Sequence, residues 1–486
     1  MIRQIFFRRQ SLPQEISCVT GLFRIRNVFM NPPPPPPKST DQNRLGRQKG
    51  LKWMTVIVGG LILVCILAVF VMANWPDEEL GDESEMLPEW RGLGEDNPLG
   101  RFQVFLEENA TDAGSDDRRL ILRPGEWDAK IADEVIGDHA ELVGAFRKLA
   151  AASDQPWEWK EGSGVANLAN PTPYLDEFFA AGKLALIASI RQAETGHSKE
   201  GSKIAMELIE TGRGLRNAHG STVHWLTGTT ISALGLRAVE NNAILNEFSE
   251  TESTEFSKLL AASEADFEES RFCLTTEYLS FKRLLDAIAS GEIDRPKAMI
   301  SFGGRKGPLF LFQKNKTLNC FKTYLEPFVT EKNLDWVTLK ALARAKYDEI
   351  HSKNERALTK LMDTNAIGNY YVRLASRPLD LNFSSVLELN ARLRFARLCL
   401  ALRRHQLAKG ELPNSLDELI PEFMDEIPTD PFDDARSVRW DSDRQILYSV
   451  GWDVVDNGGA IDRRKRSEGA DLGVEYWWKP GLERIR

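Results

Sequence analysis

Residue types that do chemistry are present in this 486-residue chain, but their spacing excludes several reaction classes. None of the six histidines is followed by Glu, so the helical zinc-protease motif is missing. No G-x-S-x-G elbow and no S-x-x-K pair occurs, which removes two common extracytoplasmic serine chemistries. Gly162 with Gly164, and Gly212 with Gly214, each lack the third Gly of a dinucleotide loop, and neither pair follows a predicted strand. His219 and His224 stand five apart, about 140° around a helix, so they do not share a face for a metal. Cys273, Cys320 and Cys399 lie in apolar or helical contexts without C-x-x-C spacing and are expected as buried thiols. The closing Tyr476-Trp477-Trp478 offers rings that either stack on a sugar or peptide or close a small core. No residue is assigned a catalytic role.

The elements that would have to position any site begin with a membrane signal. Residues 53–76 carry no charge and are dense in Val, Ile and Leu. At ~1.5 Å per residue such a run covers the ~30 Å core of a bilayer as a helix, the one open-chain structure that satisfies every backbone group in lipid. Residues 1–52 hold ten Lys/Arg, among them Arg44, Arg47, Lys49 and Lys52, against Glu15 and Asp41. Asp77, Glu78, Glu79, Asp82, Glu83, Glu85 and Glu89 follow the run. The basic side is retained in the cytoplasm, so the bulk of the chain is expected outside a bacterial cytoplasmic membrane. Val71-Met72-Ala73 is a poor cleavage site, and Val64 before Cys65 does not fit a lipoprotein, so a retained anchor is predicted. Met30-Asn31 and the proline run 32–37 read as the natural opening of a short tail, with Met30 as the expected start.

Removing the tail's charges from 62 Lys/Arg and 71 Asp/Glu leaves 52 and 69, a net charge of −17 outside the membrane. So acidic a surface repels phosphate backbones, which excludes nucleic acid as the expected partner. Residues 76–116, acidic and punctuated by Pro76, Pro88 and Pro98, read as a linker or stalk, with RFQVFLEE (101–108) as a weak strand or docking segment. From 117 to 383 the apolar period is helical. One stripe runs through Trp127, Ile131, Val135, Leu142, Phe146 and Leu149. Further helices are predicted after Asn170-Pro171, carrying Tyr174 and ending near Gly196, from a Ser198 cap to a stop near Gly212 or Gly214, after Ser221, and across 251–290. The stretch 184–212 is similar to a tetratricopeptide hairpin, but its period does not recur, so an antiparallel bundle or short irregular solenoid is expected. Residues 291–318 read as a long irregular loop, with helices again over 319–352 and 354–376.

The last segment, 384–486, is predicted as a small α+β module. A helix over 384–408 stops at Gly410, Asn414 or Ser415 caps a short turn of helix, and 438–440 pairs with 446–450 as a β-hairpin. Gly410, Leu412, Pro413, Ser415, Leu416 and Leu419 form a first block; Pro428, Asp430, Pro431 and Phe432 a second; Tyr448, Ser449, Gly451 and Asp453 a third. Over about 85 residues of this segment the chain resembles the C-terminal part of the major pseudopilins of type II secretion. As a whole it is similar to bacterial single-pass membrane proteins that place such a module after a helical region. The processed Gly-Phe anchor of pseudopilins has no counterpart here, and the 300-residue insertion does not suit a fibre, so the resemblance implies the module's fold and not filament assembly. It also implies a calcium loop, for which Asp453, Asp456 and Asp471, with Asn457 and Gly458-Gly459, offer oxygen ligands; an ordinary Asp/Asn/Gly turn is the alternative. The Arg463-Arg464-Lys465-Arg466 run departs from that loop.

Three function classes therefore remain. The expected one is a non-enzymatic interaction or scaffold protein of the cell envelope, with the lipid bilayer and other envelope proteins as partners. The others are an envelope hydrolase whose carboxylates come from distant helices, and an accessory part of a secretion system.

Overall fold

A computed structural model describes residues 58, 60, 63, 67, 76–88, 91–93, 97–109, 127–159, 175–239, 250–292, 312–331, 334–352, 365–376, 379–461 and 469–476. The chain divides into two compact units, Met1–Phe70 and Val71–Arg486. In the first, Val58, Gly60, Leu63 and Leu67 are helical and exposed. The rest of the predicted span 53–75 and the basic tail lie outside the described residues. Among the described residues no helix is long and apolar enough to cross a membrane.

The second unit is mainly helical, with a small antiparallel sheet near its C-terminus. Its described residues form twelve α-helices. These are α1 (Pro98–Glu108), α2 (Ala129–Asp138), α3 (Ala140–Ala150), α4 (Leu175–Glu194), α5 (Ser198–Arg216) and α6 (Thr222–Val239). There follow α7 (Glu250–Ala262), α8 (Phe267–Ser290), α9 (Lys314–Thr330), α10 (Trp336–Ser352), α11 (Ala366–Ala375) and α12 (Leu379–Lys409). Two apolar cores are built from them. The first gathers α1 to α7, most of α12 and the end-module residues Leu447 and Val474. The second gathers α8 to α11, the start of α12, and Met86, Phe432 and Val450. The long helix α12 serves both: Leu379, Phe383 and Leu387 belong to the second core, while Val386 and Leu389 through Leu402 belong to the first. Asn390 in its middle brackets the Ala265 peptide between α7 and α8, accepting its N–H at 2.7 Å and donating to its carbonyl at 2.9 Å.

Several boundaries differ from the sequence reading, each for a local reason. RFQVFLEE is helix α1 and not a strand: Asn97 accepts from the N–H groups of Leu99 and Gly100, Pro98 opens the first turn, and Leu99, Phe102 and Leu106 bury one face. The single stripe from Trp127 to Leu149 is two helices, because His139 leaves helical geometry and restarts the chain in phase. Ser198 is the first residue of α5, behind a His197 cap. That helix runs past Gly212 and Gly214 to Arg216. Both glycines sit in tight contacts: a Cβ on Gly212 would stand 2.5 Å from the Gly228 carbonyl, and one on Gly214 2.6 Å from the Trp157 ring. The predicted loop 291–318 is helical from Lys314, and 293–311 lies outside the described residues. Helices α9 and α10 are separate, broken at Glu331.

Residues 76–88 and 91–93 are not a free stalk. Residues 76–86 lie along α8 and α9, with Met86 fully buried in the second core, and 91–93 bind Glu158. At the other end of the unit, Gly410 in left-handed geometry (φ 86°) ends α12. Strand β1 (Thr429–Asp430) pairs with β2 (Asp433–Ser437), and β3 (Arg439–Asp441), β4 (Ile446–Ser449) and β5 (Leu472–Glu475) form a three-stranded antiparallel sheet. The hairpin register sets Arg439 opposite Tyr448, Trp440 opposite Leu447 and Asp441 opposite Ile446.

Candidate functional site

The second and third motif blocks of the end module meet at one carboxylate, and the first is tied to them through the β-hairpin. Ser415 caps the short turn Leu416–Leu419, and Glu418 returns to the Ser415 N–H at 3.2 Å, a reciprocal capping box. The Trp440 indole then donates to the Pro413 carbonyl at 3.0 Å, tying the hairpin to this turn. Asp430 is fully buried. One of its oxygens accepts from the Phe432 N–H at 3.0 Å and the Ser449 hydroxyl at 2.6 Å. The other accepts from the Val450 N–H at 2.9 Å and the Arg439 guanidinium at 2.7 Å. A buried charge with four donors is satisfied, and it locks the second motif block to the third.

Arg439 extends this network to the acidic loop, reaching Asp433 at 3.2 Å and Asp456 at 3.0 Å besides Asp430. Burial opposes its charge, yet Asp430 and Asp456 hold its pKa above the ordinary guanidinium value. The candidate calcium ligands are each engaged by donors of the protein. Asp453 accepts from the N–H groups of Val455 (3.1 Å) and Gly469 (2.7 Å). Asp456 accepts from the Gly458 N–H at 2.9 Å and from Arg439. Asp471 is buried and accepts from Asn457 (3.1 Å) and Gly459 (2.6 Å). Calcium asks for six to eight oxygens around one point. Among the described residues no group of three or more His, Cys, Asp or Glu side chains is placed to hold a metal ion. The described carboxylates thus close an Asx-type loop with backbone amides. The basic run 463–466 lies outside the described residues.

A second constellation sits where α5 turns into α6. Ser221 precedes α6, and His224, in the first turn of that helix, reaches back to it: Nδ1 accepts from the Ser221 N–H at 3.0 Å and stands 3.0 Å from its Oγ. The His224 ring lies 4.1 Å from the Trp159 ring, and burial pushes its pKa down to about 3. By distance alone this is a serine–histidine pair. An imidazole that stays neutral and already accepts a backbone N–H has little basicity left for the hydroxyl. The geometry is that of one half of a capping box, with His224 accepting the Ser221 N–H in place of the usual Glu. His219 stacks instead on Phe272 at 3.9 Å, so the two histidines face different rings.

The third constellation is Arg216, fully buried at the end of α5. It donates to Glu269 (3.1 Å), the Ser232 hydroxyl (2.9 Å) and the Ser263 carbonyl (2.7 Å), and so joins α5, α6 and the α7–α8 turn. Burial lowers its pKa, and Glu269 opposes that shift. Neither Arg216 nor the Ser221–His224 cap was found by sequence reasoning. The signal for the cap, an acceptor three residues after a Ser, was present in S-T-V-H. Of the aromatic end, Tyr476 is buried and donates to Gln406 at 3.0 Å, while Trp477 and Trp478 lie outside the described residues.

No family model, no curated protein and no solved structure matches this chain.

Proposed function

We propose that this chain is a single-pass protein of a bacterial cytoplasmic membrane, anchored by residues 53–75 with its N-terminus inside, and that it acts outside the membrane as a non-enzymatic scaffold for other envelope proteins. The anchoring half rests on the uncharged run and the basic-to-acidic change across it. One observation supports the scaffold half: the polar groups best suited to chemistry are spent on the fold. Asp430 locks two motif blocks, His224 caps a helix, Arg216 joins three elements, and Asp471 holds a loop. The end module, of pseudopilin type on its motif blocks, contributes Phe432 to one core and Leu447 to the other. A module bound into the body in this way suits a positioning role better than assembly into a fibre.

Site-specific photo-crosslinking tests this reading. A photoreactive residue placed at exposed Lys148 or Lys258 in intact cells should give discrete adducts of fixed mass with envelope proteins. Adducts with lipid alone, or none at either position, would count against a scaffold.

A further inference from the structure

The acidic run after the membrane segment makes an ordered series of contacts along one helix face. Asp77 accepts from the N–H groups of Asn315 (2.8 Å) and Lys316 (3.1 Å), capping the open end of the 17-residue helix α9. A carboxylate there satisfies orphan donors and meets the positive end of the helix dipole. One step on, the Asn315 side chain donates to the Glu78 carbonyl at 2.9 Å. A turn later Asn319 brackets the chain, donating to the Glu79 carbonyl at 2.9 Å and accepting from the Gly81 N–H at 3.2 Å. Lys322 then donates to the Asp82 carbonyl. Residues 315, 319 and 322 recur at helical spacing, so the segment runs along a single stripe of α9. Glu83 crosses to α8, where it accepts from the Tyr278 hydroxyl and pairs with Lys282. Leu80 and Met86 add the apolar part of the contact in the second core.

A second fastening follows. The consecutive N–H groups of Arg91, Gly92 and Leu93 close around the Glu158 carboxylate at 2.7, 3.2 and 2.6 Å. Gly92 is left-handed there (φ 70°), as a backbone nest requires. Glu158 lies between Trp157 and Trp159, both members of the first core. The segment is therefore held on the second core by its acids and on the first by its amides.

We propose that residues 76–88 and 91–93 form an acidic clasp that closes the two cores of the body together. Its first carboxylate contact, Asp77, follows the span of the anchoring reading by two residues in sequence. Its docking is testable apart from that reading. The clasp then couples the two cores, and loosening it frees them from one another without unfolding either.

Hydrogen exchange on the full chain in lipid nanodiscs reads the clasp directly. The Gly81 and Met86 amides should exchange at least about 100-fold slower than unstructured peptide. Asp77→Ala with Glu83→Ala should speed residues 77–86 about tenfold or more while α8 and α9 stay protected. Glu83→Lys should loosen the clasp in the same way, and adding Lys282→Glu should restore it. Wild-type amides at free-peptide rates, or a restored pair that stays loose, would overturn the proposal. Alkaline carbonate extraction of the same samples separates the two ideas: protein released from lipid with a protected clasp refutes the anchor alone.

Discussion

The two cores of the body solve the same packing problem in opposite ways. In the first, helices α5 and α6 meet through small residues: a Cβ on Gly212 would lie 2.2 Å from the Ser232 hydroxyl, and one on Gly228 would lie 2.5 Å from the Gly212 carbonyl. Backbones this close leave no room for added atoms, and the gain comes from many short contacts. In the second, rings do the filling. Phe281 and Phe321 lie 4.4 Å apart, Phe328 and Phe383 5.9 Å, and Trp336 meets Phe432 edge-on at 5.8 Å. The first core should therefore be damaged by adding a methyl group and the second by removing a ring.

The largest effect is expected in the ring-filled core. Phe321→Ala should cost about 3–5 kcal/mol in urea unfolding of the full chain, because a buried ring touching Tyr278, Phe281 and Tyr324 leaves a cavity. A loss under 1 kcal/mol would mean this core collapses around the gap. Gly212→Ala should cost about 1–3 kcal/mol, since a backbone carbonyl cannot step aside as a side chain can. If Gly212→Ala is neutral, the close helix approach is not what holds the first core.

Acid sharpens the contrast further. His224 titrates near 3 when folded and near 6.5 when unfolded, so the unfolded chain takes up the proton first as pH falls. Its contribution is complete above about pH 6.5 and is lost progressively as pH falls towards 3. Between pH 6.5 and 5 the wild type should lose about 1–2 kcal/mol more than His224→Gln, which keeps an acceptor for Ser221 without the titration. Burial, with help from Arg373, also lowers the pKa of His351 in α10, so His351→Gln should flatten the same profile to a smaller degree. Equal pH profiles for all three proteins would exclude the assignment of lowered imidazole pKa values. Ser415→Ala marks the small end of the scale, at about 1 kcal/mol for a lost cap in the end module.

Local patterns carried much of this fold. Gly410 as a stop, Ser415 as a cap, the β-hairpin and the apolar stripes of α4 to α6 are all visible in short windows of residues. What stayed hidden is non-local. Asp77 and Glu83 read as stalk acids because their partners on α8 and α9 lie 195 to 239 residues away. The α1 segment read as a strand because its run is short, although Asn97-Pro98 announced a helix start. His139 escaped notice because the apolar phase continues across the break it makes. For the site, Asp453, Asp456 and Asp471 were legible as one acidic loop, but the direction of each carboxylate was not. That direction depends on Arg439 and on amides up to 16 residues away.

Protease shaving of intact spheroplasts tests the proposed topology most directly. Trypsin added from outside should digest the chain beyond residue 76 and leave a membrane-embedded remnant that carries the basic tail. A body that stays whole until the membrane is opened would contradict it.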